Sequence, residues 1–199
     1  MTRAAVVDSA AALGSGEGLD GLSIGRIASE LGLSKSGVIG HFGSKENLQL
    51  AAVEAAAQRF RAEVWDPVAG EPAGLTRLRA LMEAWLSYLE REVFPGGCFL
   101  TAAAVEFDDR PGAVRDAVAA TWTLWLDVLE REAARAQAQE ELASEISPRQ
   151  IVLQLNAYVM AGNWNKQLFR QPEALTPSRV AIDRLLEMRP LPASRSSPP

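Results

Sequence analysis

The chain has 199 residues, with one histidine, His41, and one cysteine, Cys98, to offer nucleophilic or metal-ligating chemistry. Catalysis needs titratable groups converging in a cleft, and these two fall in separate expected domains. No Cys/His cluster has metal-ligand spacing, and no glycine-rich phosphate loop follows a strand. No metal or cofactor is expected. Cys98 is either a redox-sensitive thiol, if a helix N-terminus lowers its pKa, or a small apolar residue in a tight contact. His41 belongs to a different constellation: Lys35, Ser36, Gly37, Ile39, Gly40 and His41, followed by Lys45. Small residues let a helix backbone approach base edges, and flanking cations and hydroxyls meet phosphates.

These residues need two short helices to position them. Ser23 is an N-cap, and Ile24, Ile27, Ala28 and Leu31 repeat at helical spacing. Gly32 stops that helix, Leu33 plugs the turn, Ser34 caps a second helix over about 35–42, Gly43 stops it, and Ser44 caps a third. Helix, glycine turn, short helix is the helix-turn-helix arrangement, whose second helix enters the major groove. Ser36, Gly37 and Ile39 are then expected to read base edges. Val38 and Phe42 point back into a small core, and His41 and Lys45 flank the groove.

Leu-Ser-Ile-Gly-Arg-Ile-Ala, Gly-Leu-Ser-Lys-Ser-Gly-Val and His-Phe-Gly-Ser-Lys-Glu-Asn-Leu resemble the DNA-binding domain of TetR/AcrR transcriptional regulators, over about residues 2–55. The resemblance implies phosphate contacts from Thr2 and Arg3, and adds Ser23 and Arg26 to the expected DNA-contacting set. Three positions depart from the family pattern. Gly14 stands where an aromatic is usual; its loss removes a large buried group, worth about 3–5 kcal/mol in a core, unless Leu19 and Leu22 fill the gap. Ile39 stands where a tyrosine usually meets phosphate, and packs on a thymine methyl or on the local core instead. Gly40 also replaces a residue that is often aromatic.

Net charge is −5, and residues 1–50 carry four basic side chains against five acidic ones. Phosphate affinity must therefore come from a few well-placed cations, hydroxyls and helix N-termini. One cysteine excludes an intrachain disulfide framework. No apolar run approaches the ~20 residues of a membrane span, and no signal-peptide pattern opens the chain; a soluble cytoplasmic protein is expected.

The fold expected is all-α: a three-helix head over 1–48, a larger helical bundle over 49–190 and a disordered Pro/Ser tail over 191–199, about nine helices in total. The first helix is expected over 2–13, broken by Gly14-Ser15-Gly16-Glu17-Gly18. A linking helix runs to about 65, and Leu75, Leu78, Met82, Trp85 and Leu89 form a strong stripe on the next. Gly-Gly-Cys-Phe-Leu with Glu-Phe-Asp-Asp-Arg-Pro-Gly resembles the effector domain of one TetR-type branch. The resemblance implies a small-molecule effector in this bundle, with Trp85, Tyr88, Phe99, Trp122 and Trp125 as candidate contacts. The last two helices are apolar beyond one stripe, which predicts a homodimer through Val152, Leu155, Val159, Ile182 and Leu186. The reading is a ligand-responsive regulator, chiefly a repressor, released from a pseudo-palindromic operator by its effector. A helical binding module without DNA affinity, and a small all-α enzyme, stay open.

Overall fold

The computed structural model describes residues 3–171 and 173–187; Thr2, Met188 and the expected tail 191–199 lie outside the described residues. Among the described residues there are nine α-helices and no strand, the class that the hydrophobic periodicity predicts. They are α1 (Arg3–Glu17), α2 (Ile24–Glu30), α3 (Lys35–Phe42), α4 (Lys45–Phe60), α5 (Leu75–Glu90), α6 (Phe99–Phe107), α7 (Ala113–Ala138), α8 (Pro148–Phe169) and α9 (Thr176–Leu186). After Phe60, α4 passes into one π-turn, Arg61–Trp65, and a 3-10 turn, Asp66–Val68. The domain boundary expected after residue 48 falls inside α4, which packs on both α1 and α7.

The head is set by local signals. Ser23, Ser34 and Ser44 each accept a hydrogen bond from the backbone N–H three residues on, at Arg26, Gly37 and Asn47. Each bond satisfies one of the free amides of a first helical turn. Gly43 ends α3 at φ +73°, where a Cβ would be strained. Ile27, Val38, Phe42 and Leu48 close the small core, while Leu33 in the turn is only half-buried.

One expectation fails in the head. The run Gly14-Ser15-Gly16 does not break the chain; α1 continues through it to Glu17. Gly14 is buried, and a Cβ there would sit 3.1 Å from Phe99 Cε2 and 3.4 Å from Leu19 Cδ1. Phe99 of α6, with Leu19, thus occupies the volume of the missing aromatic. At the next residue of α1, Gly96 lies so close that a Cβ on it would collide with the Ser15 carbonyl. Small residues in α1 let the larger domain press against the helix backbone.

The larger domain surrounds a core continuous with that of the head. α5 supplies Leu78, Leu81, Met82, Trp85 and Leu89, all at most 1% exposed. The buried Glu132 carboxylate of α7 accepts from Gly74 N (2.9 Å), Arg135 Nη1 (2.6 Å) and Arg77 Nη1 (3.4 Å), pinning the start of α5 to α7. The expected dimer residues are corrected: Val152, Leu155, Val159, Ile182 and Leu186 are all buried inside their own chain. The apolar strip of α8 left exposed is Leu153, Ala157, Ala161, Trp164 and Leu168, on the opposite side of the helix.

Candidate nucleic-acid interface and effector cleft

α3 presents its expected reading face outward. Lys35, Ser36, Gly37, Ile39, Gly40 and His41 are all exposed, and Ile39 keeps 45% of its surface. The glycines are not demanded by the fold. A Cβ at Gly40 would meet nothing within 4 Å, and one at Gly37 only the Ser34 hydroxyl at 3.2 Å. A helix surface bare for no internal reason fits close approach to an outside partner. Ser36 Oγ and Ser34 Oγ lie 3.0 Å apart, so both hydroxyls cluster at the free N-terminus of α3.

The flanking cations differ in how free they are. Lys35 lies across Gly25, where a Cβ would meet its Cε at 2.7 Å, so its stem is held between α2 and α3. The Arg3 guanidinium stands 5.1 Å above the Phe42 ring, a cation–π contact that fixes it beside α3. Arg26 is paired with Glu17, and Lys45 Nζ donates to the Asp20 carbonyl and carboxylate. Ser23 is exposed, but its hydroxyl is committed to capping α2.

Asp20 is also where the two domains meet. Glu106, at the end of α6, accepts from Leu19 N (2.6 Å) and Asp20 N (2.7 Å), and Arg110 Nη1 reaches the Asp20 carboxylate at 3.0 Å. Lys45 and Arg110 hold the Asp20 carboxyl below the usual aspartate range, so it stays charged in moderate acid. The loop between α1 and α2 is thus gripped from the larger domain on one side and from Lys45 on the other. Glu106 escaped the sequence reading because an acid near a helix end normally faces water. Its place in the Glu-Phe-Asp-Asp-Arg-Pro-Gly segment was the available signal.

The aromatic candidates separate into core and cleft. Trp85, Tyr88 and Phe99 are at most 1% exposed and pack edge-on: Phe60 meets Trp85 at 5.8 Å, Tyr88 at 5.5 Å and Trp125 at 5.0 Å between centroids. Their burial places these three expected contacts in the packed core. Trp122 is half-buried and donates its indole N–H to the Leu100 carbonyl at 3.0 Å. Trp125 lines a cleft of about 420 Å³ between the end of α4 and the middle of α7. Phe60, Trp65, Leu100 and Leu124 line it too. Val114, Val118, Trp122, Trp125 and Leu129 repeat at helical spacing along α7, and Leu124 was legible as an anomaly, a leucine on the water side of that stripe. Cys98 is 1% exposed, and burial pushes its thiol pKa up, which disfavours the reactive thiolate. Among the described residues no group of His, Cys, Asp and Glu is placed to hold a metal. No described helix is long and apolar enough to cross a membrane.

A capped helix-turn-helix head with an open second helix, seated on a larger all-helical domain, defines a two-domain DNA-binding regulator. Two family models match the chain: "Bacterial regulatory proteins, tetR family" over residues 6–52, and "Tetracyclin repressor-like, C-terminal domain" over residues 74–182, more than half of the chain. The chain belongs to the TetR family of transcriptional regulators. A TetR regulator from Chloroflexus aurantiacus J-10-FL is 27% identical, with a TM-score of 0.85 over 94% of this chain and 95% of that one. A TetR-family regulator from Streptomyces coelicolor is 24% identical, with a TM-score of 0.75 over 92% and 93%. AibR, solved with isovaleryl coenzyme A and operator DNA, is 21% identical, with a TM-score of 0.76 over 93% and 98%. No curated protein matches the chain.

Proposed function

We propose that this regulator is a homodimeric repressor that leaves a pseudo-palindromic operator when a small-molecule effector binds its larger domain. The observation that carries the reading is the outward face of α3, where Ser36, Gly37, Ile39 and Gly40 stand open for no reason internal to the fold. Ser36, Gly37 and Ile39 read base edges; Arg3, Lys35, His41 and Lys45 meet phosphates, with Arg26 and Ser23 beside them.

Dimerisation uses the exposed α8 strip, Leu153, Ala157, Ala161, Trp164 and Leu168, with Val180 of α9, itself 42% exposed. Small alanines between Leu153 and Trp164 let a second helix approach closely, and a twofold pairing mirrors a symmetric operator. Two recognition helices must stand about one DNA turn apart, ~34 Å. An effector that prefers another spacing lowers operator affinity by its differential affinity for the two states. The Glu106–Asp20–Lys45 joint is the route by which a shift of α6 reaches the head. AibR, held with both an acyl-coenzyme A and operator DNA, supports such pairing of ligand and operator on this fold.

The test is selection of bound fragments from the source genome, followed by sedimentation. Wild type is expected to retain a palindromic fragment and to sediment as a dimer. Trp164→Glu is expected to sediment as a folded monomer that binds the fragment far more weakly. A wild-type monomer at micromolar concentration would overturn the dimer and its spacing mechanism together.

A further inference from the structure

Resting on the effector-regulated reading above, we propose that the cleft beside Trp125 takes an amphipathic organic anion, a flat apolar body with a carboxylate at one end. The apolar part follows from the walls. Phe60, Trp65, Leu100, Leu124 and Trp125 face a volume of about 420 Å³, within the range of small-molecule sites. Leu124 is 70% exposed at the rim, a large apolar surface that an occupant would cover.

The oxygen end follows from two independent donors. Three aromatic residues bury a polar atom without a hydrogen-bond partner, Trp85, Tyr88 and Trp125, and of these Trp125 is the one that forms part of the cleft wall. A buried donor left unpaired is costly and points to an acceptor from outside the chain. Arg61 is the one charged residue lining the cleft. Its Nε donates to Asp66 at 3.2 Å, while the rest of the guanidinium extends from a side chain that is 72% exposed. That leaves the two terminal nitrogens to form the paired hydrogen bonds that suit a carboxylate.

The other polar wall residues do not favour a cation. The Gln58 amide donates to Glu54 at 3.3 Å, and the Thr121 hydroxyl donates to the Ala117 carbonyl at 2.9 Å. No acid lines the cleft. Arg61 and Trp65 are the first and last residues of the π-turn, an irregularity often found at functional positions.

The full-length protein is titrated calorimetrically with three probes that share one body: 4-phenylbutyrate, 4-phenylbutanamide and 4-phenylbutylamine. The acid is expected to bind about tenfold more tightly than the amide, and the amine more weakly than both. Arg61→Gln is expected to erase the acid's advantage and leave the amide's affinity unchanged. Trp125→Phe keeps the ring and removes the N–H, and is expected to weaken acid and amide alike. Equal binding of the three probes, preference for the amine, no binding by any of them, or an acid preference that survives Arg61→Gln overturns the proposal. The same preparations are assayed on operator DNA. Intact operator binding without an acid preference defeats the cleft assignment alone. An acid preference in a wild-type protein that binds no DNA supports the cleft and defeats the regulator reading.

Discussion

In α3 two of eight residues, Val38 and Phe42, are buried; in α5 seven of sixteen are, with Trp85 fully enclosed. The fold accounts for nearly every side chain on the inner face of α5. Along α3 it accounts for the caps and the two inward residues, and for nothing on the outer face. Residue types that folding does not explain are the ones a partner must explain. The same contrast runs within the aromatic set: Trp85, Tyr88 and Trp125 each bury an unpaired polar atom, but Trp85 and Tyr88 are closed in by packing while Trp125 borders open space.

The largest expected effect is in the packed region. Trp85→Ala should destabilise the protein by about 3–5 kcal/mol, because three neighbouring rings, Phe60, Trp122 and Trp125, and the α5 stripe close around that side chain. Thermal or urea unfolding measures it; a loss of under about 1 kcal/mol would mean that the aromatic centre is not close-packed.

Next comes the exposed region. Gly37→Glu should leave the melting temperature nearly unchanged and reduce operator binding by about a hundredfold, since it sets an unpaired carboxylate against DNA. A folded Gly37→Glu dimer that still shifts operator DNA would remove α3 from the groove.

Lys45 lies between the two regions, being tied to Asp20. Lys45→Ala should weaken binding to all sequences alike and lower the salt slope by about one unit. Asp20→Asn should strengthen binding uniformly by removing the negative charge that competes with phosphate for Lys45, whose bond to the Asp20 carbonyl remains. The folded-state pKa of Asp20 is lowered, so its pairing is fully present above the usual aspartate pKa and is lost as pH falls through that lower folded value. Titration of the Asp20 carboxylate by NMR reads this directly, and loss at a single operator base would contradict the positioning role of Lys45.

The smallest effect has opposite signs in the two assays. Gly40→Ala adds a methyl group where nothing lies within 4 Å. It should raise stability by about 0.5–1 kcal/mol, because alanine loses less backbone entropy in a helix. Operator affinity should fall, because the added methyl group stands on the reading face. A Gly40→Ala protein that gains stability and keeps full affinity would place that face further from the bases.

The sequence by itself determined whatever depends on neighbours a few residues away. Ser23, Ser34 and Ser44 as caps, Gly32 and Gly43 as stops, and Ser147-Pro148 opening α8 are short-range hydrogen-bond and dihedral effects, so their helix ends were legible. The outward set on α3 followed from the same register. Tertiary structure decided what depends on segments far apart in the chain. Gly14-Ser15-Gly16 looks like a break by propensity, yet stays helical because Phe99 and Gly96, over 80 residues away, fill and cover that side of α1. α8 carries two apolar strips, and periodicity cannot say which faces its own core; Val152, Leu155 and Val159 turn inward, leaving Leu153, Trp164 and Leu168 outside. Trp85 and Trp125 look alike along their helices, and Phe60 at the end of α4 packs on both; only the tertiary arrangement encloses the first and leaves the second beside the opening that Trp65 and Leu124 also line.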